Sequence, residues 1–377
     1  MGQKIITAAD QYLELDEWFR EHRCRRILLV RDDSVRYLEG FNRHLEELRS
    51  QGVRIIEFSA FQPNPVYESI VKGVEVLRRE HCDSIMAVGG GSAMDVAKCI
   101  KLYALQPGDG TDGAWLKAGE VPNDIPFMAM PTTAGTGSEA TRYAVIYYEG
   151  EKQSITSKSI IPGAVLMNAS VLRTLPLYQR KATMMDALCH AIESYWSVNS
   201  TCESKAFSRE AIRGILNNMD AYLANDERGN HEMLLAAHAA GQAIDITQTT
   251  AGHAMCYKIT SMFHVAHGHA AILCDRVLFP WMIDNTDCCV DPRGESYLIP
   301  ILDELGHAMG GRNAHEASVI LNEIFMRLEL AVPSASADQF EILKKSVNTV
   351  RLKNHPVKMS AEIIDELYHR ILNGEVK

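Results

Sequence analysis

The chain has no apolar run long enough to cross a bilayer, which excludes a helical membrane protein. It has no excess of positive charge either: Lys and Arg number 38 against 48 Asp and Glu, a formal net charge of −10. That balance excludes a general nucleic-acid surface, so any anionic ligand must be held by a local cluster. Its nine cysteines are an odd number scattered without framework spacing, which argues for reduced thiols rather than a disulfide scaffold. The opening segment MGQKIITAADQYLELDEWF has no signal-like apolar core, and Ile6 spoils a myristoylation match. A cytoplasmic protein with neither membrane nor nucleic-acid partners is therefore expected. Internal repeats and low-complexity segments are also lacking.

What is present is an ordinary globular composition, 46% hydrophobic and 23% charged, over 377 residues, too many for one small core. The first part alternates short, nearly continuous apolar runs with amphipathic stretches, the pattern of parallel strands covered on both faces by helices. RRILLV, VRIIEF, SIMAVGGG and IPFMAMP read as strands, with helices at YLEGFNRHLEELRSQG and SIVKGVEVLRREHC. A Gly- and Pro-rich excursion, PGDGTDGAWLKAGEVPND, precedes the last of these strands. Beyond about Pro176 the pattern turns to long helices such as SKAFSREAIRGILNNMDAYLAN and HEMLLAAHAAGQAI. The expected division is an α/β domain over 1–165 and an all-α domain over 166–377.

The segment from Asp186 to His267 carries the chemistry of the helical half. Asp186 and His190 lie four apart in ATMMDALCHAIESYW, one turn apart on one helix face; His253 and His267 lie fourteen apart in GHAMCYKITSMFHVAHG. Two helices are expected to bring them together. A lone histidine on an apolar helix is usually a core residue bonded to backbone. Here the stripe Asp186, His190, Glu193 runs among Met184, Met185, Ala187, Leu188, Ala191 and Ile192, and a buried carboxylate is costly unless paired or metal-bound. An Asp with three His reads as a divalent-cation site, a Lewis acid for carbonyl chemistry.

Two glycine-rich turns carry the chemistry of the first half. In AVGGGSAMDVAK, Gly89, Gly90 and Gly91 lie between a strand and a helix, so backbone amides and the helix N-terminus converge on one point suited to a pyrophosphate. The bland alternative is a tight strand-to-helix turn. PTTAGTGSEAT again sets Thr132, Thr133, Thr136 and Ser138 beside glycines after a strand. Two such turns at the ends of adjacent parallel strands imply a crevice where a dinucleotide lies.

These four motifs, in this order and spacing and over nearly the whole chain, resemble the iron-dependent alcohol dehydrogenase family. The resemblance implies an N-terminal dinucleotide-binding α/β domain, an all-α C-terminal domain, and a divalent metal in the cleft between them. Asp186, His190, His253 and His267 are its implied ligands, for Fe2+ or sometimes Zn2+. It further implies that Gly90, Gly91 and Ser92 hold the pyrophosphate, that Asp95 lies near the nicotinamide, and that Thr132, Thr133, Thr136 and Ser138 line the adenosine and phosphate path. Asn64 and Lys152 match further cofactor contacts, Lys152 toward a phosphate or ribose hydroxyl. Asp32, after RRILLV, matches the position that reads the ribose; a carboxylate there favours NADH over NADPH, although Arg31 next door could offset it. A homodimer is likewise expected from the resemblance alone.

The departures from the family pattern point to the substrate. Where members commonly carry a second His in an HxxxH run, this chain has Tyr257, followed by Lys258; Arg142 stands where apolar or amide side chains are frequent. AMCYKITS with GSEATRYA resembles a narrower group that reduces phosphonoacetaldehyde to 2-hydroxyethylphosphonate in phosphonate biosynthesis. Arg142 and Lys258 would grip the phosphonate, or else simply pair with acids. Tyr257, or water around His264 and His267, would supply the product's proton. The alternatives are a general alcohol or diol dehydrogenase and a lyase resembling dehydroquinate synthase.

Overall fold

The structure, a computed structural model, describes residues 2–347 and 349–373. Among the described residues eight strands follow one another as β1 (Lys4–Thr7), β2 (Arg26–Arg31), β3 (Arg54–Phe58), β4 (Ser84–Gly89), β5 (Phe127–Pro131), β6 (Tyr143–Tyr148), β7 (Glu151–Thr156) and β8 (Ala164–Met167). Six of them form a parallel sheet in the order β1-β8-β5-β4-β2-β3. The central strands SIMAVG and FMAMP are buried at every position, as the continuous apolar runs required. β4 and β5 are neighbours with Gly89 opposite Pro131, so both glycine-rich turns leave the same end of adjacent strands.

The helices of this half are α1 (Leu13–Glu21), α2 (Glu39–Ser50), α3 (Tyr67–Arg79) and α4 (Gly91–Tyr103). Leu28, Val30, Ile70, Val74, Ile85, Ala87, Val96 and Ile100 form the core between sheet and helices. Three features were not read from the sequence. KIIT is a short, mostly exposed edge strand, and AVLM adds only four residues, both too brief for a periodicity signal. β6 and β7 form a separate antiparallel hairpin that begins directly after the second turn.

The remaining helices are α5 (Leu177–Trp196), α6 (Cys202–Leu223), α7 (Glu227–Thr247), α8 (Ala251–Phe263), α9 (His267–Asp284), α10 (Glu295–Ala308), α11 (Ala314–Arg327), α12 (Ala337–Lys345), α13 (Thr349–Leu352) and α14 (Ala361–Asn373). Two compact units divide the chain: Met1–Leu175 with Asn225–Leu234, and Pro176–Ala224 with Leu235–Lys377. In the second unit α5 packs against α6 and α9, and α8 against α9. α5 is buried on nearly every side, with Met184, Leu188, Ile192 and Trp196 on its apolar face; truncating one of these to Ala costs about 2–5 kcal/mol. Thr201 and Ser204 close a capping box at the start of α6.

Candidate functional site

The helical unit brings Asp186, His253 and His267 together. One ligating atom from each lies within 4.8 Å of the others, the carboxylate and the His253 ring being buried and His267 partly exposed. His253 Nε2 stands 3.5 Å and His267 Nε2 3.8 Å from Asp186 Oδ1. Two ligands about 2.1 Å from one tetrahedral ion would be separated by about 3.4 Å, so these gaps suit a shared cation. His190, one turn along α5 from Asp186, lies outside that triad and stacks its ring on His253, centroids 4.4 Å apart.

Three helices, not the expected two, supply these side chains. His264 takes a left-handed conformation (φ 54°) that ends α8, Ala266 is extended, and His267 opens α9. The chain can therefore fold back within the fourteen-residue interval instead of carrying His253 and His267 along one rod. Gly268 makes the close approach possible, because a Cβ there would fall 2.0 Å from the Ala182 carbonyl oxygen and 2.6 Å from Asp186 Cβ.

The electrostatics fit a cation. Buried Asp186 Oδ1, His190 Nδ1 and His253 Nε2 have no hydrogen-bond partner, which leaves all three atoms open to an ion. Burial raises the Asp186 pKa, but His190, His267 and His253 together outweigh it and hold the carboxyl well below the usual carboxylate range. Burial lowers His190 to about 4, so its imidazole is neutral and able to ligate. Burial also opposes charge on His253, yet Glu193 and Asp186 carry it up to about 10, showing how strongly the site attracts positive charge. A divalent ion would take the place of that proton. Tyr257 lies one turn after His253, with its ring nearly parallel to His267 at 5.4 Å; burial pushes its phenol upward. Lys258 follows on the same helix and is partly buried, whereas His264 is exposed.

In the α/β unit the two turns pack on each other. A Cβ on Gly90 would lie 3.7 Å from Thr133 Cγ2, and one on Gly91 3.2 Å from Thr136 Cγ2. Thr132 N–H donates to Gly89 O at 3.0 Å, and Gly90 caps α4 with Ser92 in its first turn. Asp32 accepts from Ser34 N–H at 2.9 Å through one oxygen and from Gly90 N–H at 3.2 Å through the other, so its carboxylate lies against the first turn. Arg31 is bonded to Glu57 at 2.6 Å.

Asp95 accepts from Ser138 Oγ at 2.9 Å and from Val145 N–H at 3.0 Å, tying α4 to the second turn and to β6. Burial raises its pKa while Lys98 and these donors pull it down. Thr136 Oγ1 accepts from Ser138 N–H. Exposed Asn64 is left-handed (φ 59°), and the loop carrying it joins β6 where Tyr147 N–H donates to Pro65 O. Lys152 is paired opposite Tyr147 on β7, and Arg142 precedes β6 with its carbonyl accepting from Ser157 N–H.

Two residues of consequence were not assigned roles from the sequence. Lys98 is fully buried and donates to Ser138 Oγ and Thr141 Oγ1, both at 3.0 Å, and to the Tyr143 carbonyl at 2.8 Å, organising the second turn. Its place three residues after Asp95 was the available signal. Glu193 was seen in the buried stripe, and it turns out to bind the backbone and ring of His253.

Comparison with known proteins bears on both halves. The family profile described as "Iron-containing alcohol dehydrogenase" matches residues 2–169, and "Fe-containing alcohol dehydrogenase family, C-terminal" matches 181–372. The chain is 29% identical to a phosphonoacetaldehyde reductase of Streptomyces viridochromogenes, over 80% of this chain and 79% of that protein. It is also 29% identical to a 1,3-propanediol dehydrogenase of Citrobacter freundii, over 83% and 81%. A solved sulfoacetaldehyde reductase from Bifidobacterium kashiwanohense, crystallised with NAD+, shares the fold with a TM-score of 0.88 at 23% identity, covering 99% of this chain and 98% of that one.

Proposed function

The chain belongs to the iron-containing alcohol dehydrogenase family and is an oxidoreductase of alcohols and aldehydes; from that premise we propose that it reduces phosphonoacetaldehyde, or a close anionic analogue, to the primary alcohol at the expense of NADH. The observation that carries this reading is the presence of two cations, Arg142 and Lys258, at departures from the family pattern, in a chain similar to a phosphonoacetaldehyde reductase. A dianionic head group needs fixed cations, and a guanidinium can bind it through two parallel hydrogen bonds.

Asp186, His190, His253 and His267 are proposed to hold the ion, Fe2+ by family and Zn2+ by donor type. When bound, the ion supplies Lewis-acid polarisation of the carbonyl and stabilises the negative charge that develops on its oxygen. The partnerless atoms Asp186 Oδ1, His190 Nδ1 and His253 Nε2 support this assignment. Tyr257, whose phenol keeps its proton because burial raises its pKa, is suited to donating a hydrogen bond to the substrate oxygen rather than to releasing the proton outright. In the other unit the amides around Gly90, Gly91 and Ser92 suit a pyrophosphate, with Thr132, Thr133, Thr136 and Ser138 beside it. Asp32 is proposed to accept from the ribose hydroxyl. The ion pair of Arg31 with Glu57 lessens its ability to attract a 2′-phosphate, which favours NADH over NADPH.

The test is NADH oxidation by metal-reconstituted protein with phosphonoacetaldehyde, butanal and lactaldehyde. Arg142→Ala and Lys258→Ala should each lower kcat/KM for phosphonoacetaldehyde by about 10- to 100-fold while butanal turnover stays within about twofold. Equal turnover of all three aldehydes, unaffected by either substitution, would instead favour a general small-alcohol or diol enzyme, the reading to which similarity with the 1,3-propanediol dehydrogenase lends weight. The lyase alternative loses its basis with the family assignment.

A further inference from the structure

We propose that Glu193 is the positioning residue of the metal centre: by accepting from His253 Nδ1–H it turns the lone pair of Nε2 toward the ion. The inference rests on the reading of Asp186, His190, His253 and His267 as ligands. Glu193 lies on α5 on the face that carries Asp186 and His190, and it is fully buried. Oε1 accepts from the His253 backbone N–H at 3.0 Å and from His253 Nδ1. Oε2 accepts from Thr250 Oγ1 at 2.6 Å and from Thr250 N–H.

All four donors come from the first turn of α8 or its N-cap, so a carboxylate on one helix caps the start of another, where the helix dipole favours negative charge. Cap and ligand orientation are thus one device. A carboxylate can only accept, so Nδ1 carries the proton and Nε2, which has no hydrogen-bond partner and faces Asp186, is left as the donor atom for an ion. Gly252 shows how closely the device is packed: a Cβ there would lie 1.8 Å from Asp275 Oδ1 and 2.8 Å from Glu193 Oε1. Asp275 is fully buried behind it, and burial and the Glu193 charge push its pKa upward.

Glu193→Gln is nearly isosteric but puts an NH2 where either Thr250 or His253 needs an acceptor. In the metal-free protein, Zn2+ affinity measured by chelator competition should fall about 10- to 100-fold, the usual cost of losing such a partner of a metal ligand. NADH binding, followed by its fluorescence, should stay within about twofold, and in the Zn2+-loaded protein the 15N signal of His253 Nδ1 should report a weaker hydrogen bond than in the parent. A folded Glu193→Gln protein that binds Zn2+ as tightly as the parent, while His253→Ala does not bind, overturns the proposal. Absence of Zn2+ binding in the parent itself would overturn the ligand reading beneath it. If Glu193→Gln fails to fold, Thr250→Val removes one bond from the far oxygen and should weaken Zn2+ about three- to tenfold; unchanged affinity there overturns the proposal equally.

Discussion

The two units prepare for ligands in opposite ways. In the α/β unit the acidic and hydroxyl side chains around the turns are already bonded to one another: Asp32 to Ser34 and Gly90, Asp95 to Ser138 and Val145, Ser138 to Lys98. These bonds fix a backbone whose remaining amides are proposed to do the binding. In the helical unit the candidate ligands keep buried atoms without partners, Asp186 Oδ1, His190 Nδ1 and His253 Nε2. A turn that binds through backbone must be satisfied beforehand, whereas a metal centre is completed by its ion.

The largest expected effect breaks the helical side. Asp186→Ala or His253→Ala should abolish metal retention and lower kcat by about a thousandfold or more, read by elemental analysis and aldehyde-dependent NADH oxidation, with NADH binding intact. Gly268→Ala drives a Cβ into the Ala182 carbonyl and should destabilise the protein by about 1–3 kcal/mol or more in denaturant unfolding, weakening metal binding with it. Gly89→Ala is its counterpart in the other unit. Gly89 has φ +151° and a Cβ there would lie 2.5 Å from Asp32 Oδ2, so NADH affinity should fall about tenfold while Zn2+ affinity is retained. A matching loss of Zn2+ affinity would blur the contrast between the two sites.

Smaller effects sharpen it. Asp32→Ala should shift the NADH to NADPH preference in kcat/KM toward NADPH by about tenfold. Smallest is Glu57. Burial opposes its ionisation, but Arg49 and Arg31 hold its pKa below the ordinary 4.5. A depressed carboxylate stabilises the fold above its unfolded pKa, and the contribution fades as pH falls through the folded value. Glu57→Gln should therefore cost less than about 1 kcal/mol at pH 7, because the pair is partly exposed, and nothing in strong acid. A pH-independent cost in urea unfolding would show that packing, not charge, matters there.

Much of this was legible in the sequence because two kinds of signal are local. Continuous apolar runs gave β2 to β5, and the glycines after β4 and β5 marked the turns that the sheet then set side by side. Asp186 and His190 share a face by helical period alone. Long-range contacts were not legible. The break at His264 depends on a left-handed backbone that a histidine gives no warning of, and the meeting of α9 with α5 depends on what Gly268 would touch. Lys98 looked like an ordinary charged residue, and Glu193 was visible only as a member of the buried stripe, until their partners, 40 and 57 or more positions away, were in place.

Anaerobic titration of metal-free protein with Fe2+, with a parallel Zn2+ titration and elemental analysis of both products, tests the claim of a completed ion site most directly. One ion per chain is expected in the parent and none in His253→Ala. A parent chain that retains neither metal, or a His253→Ala chain that retains one as firmly as the parent, would contradict it.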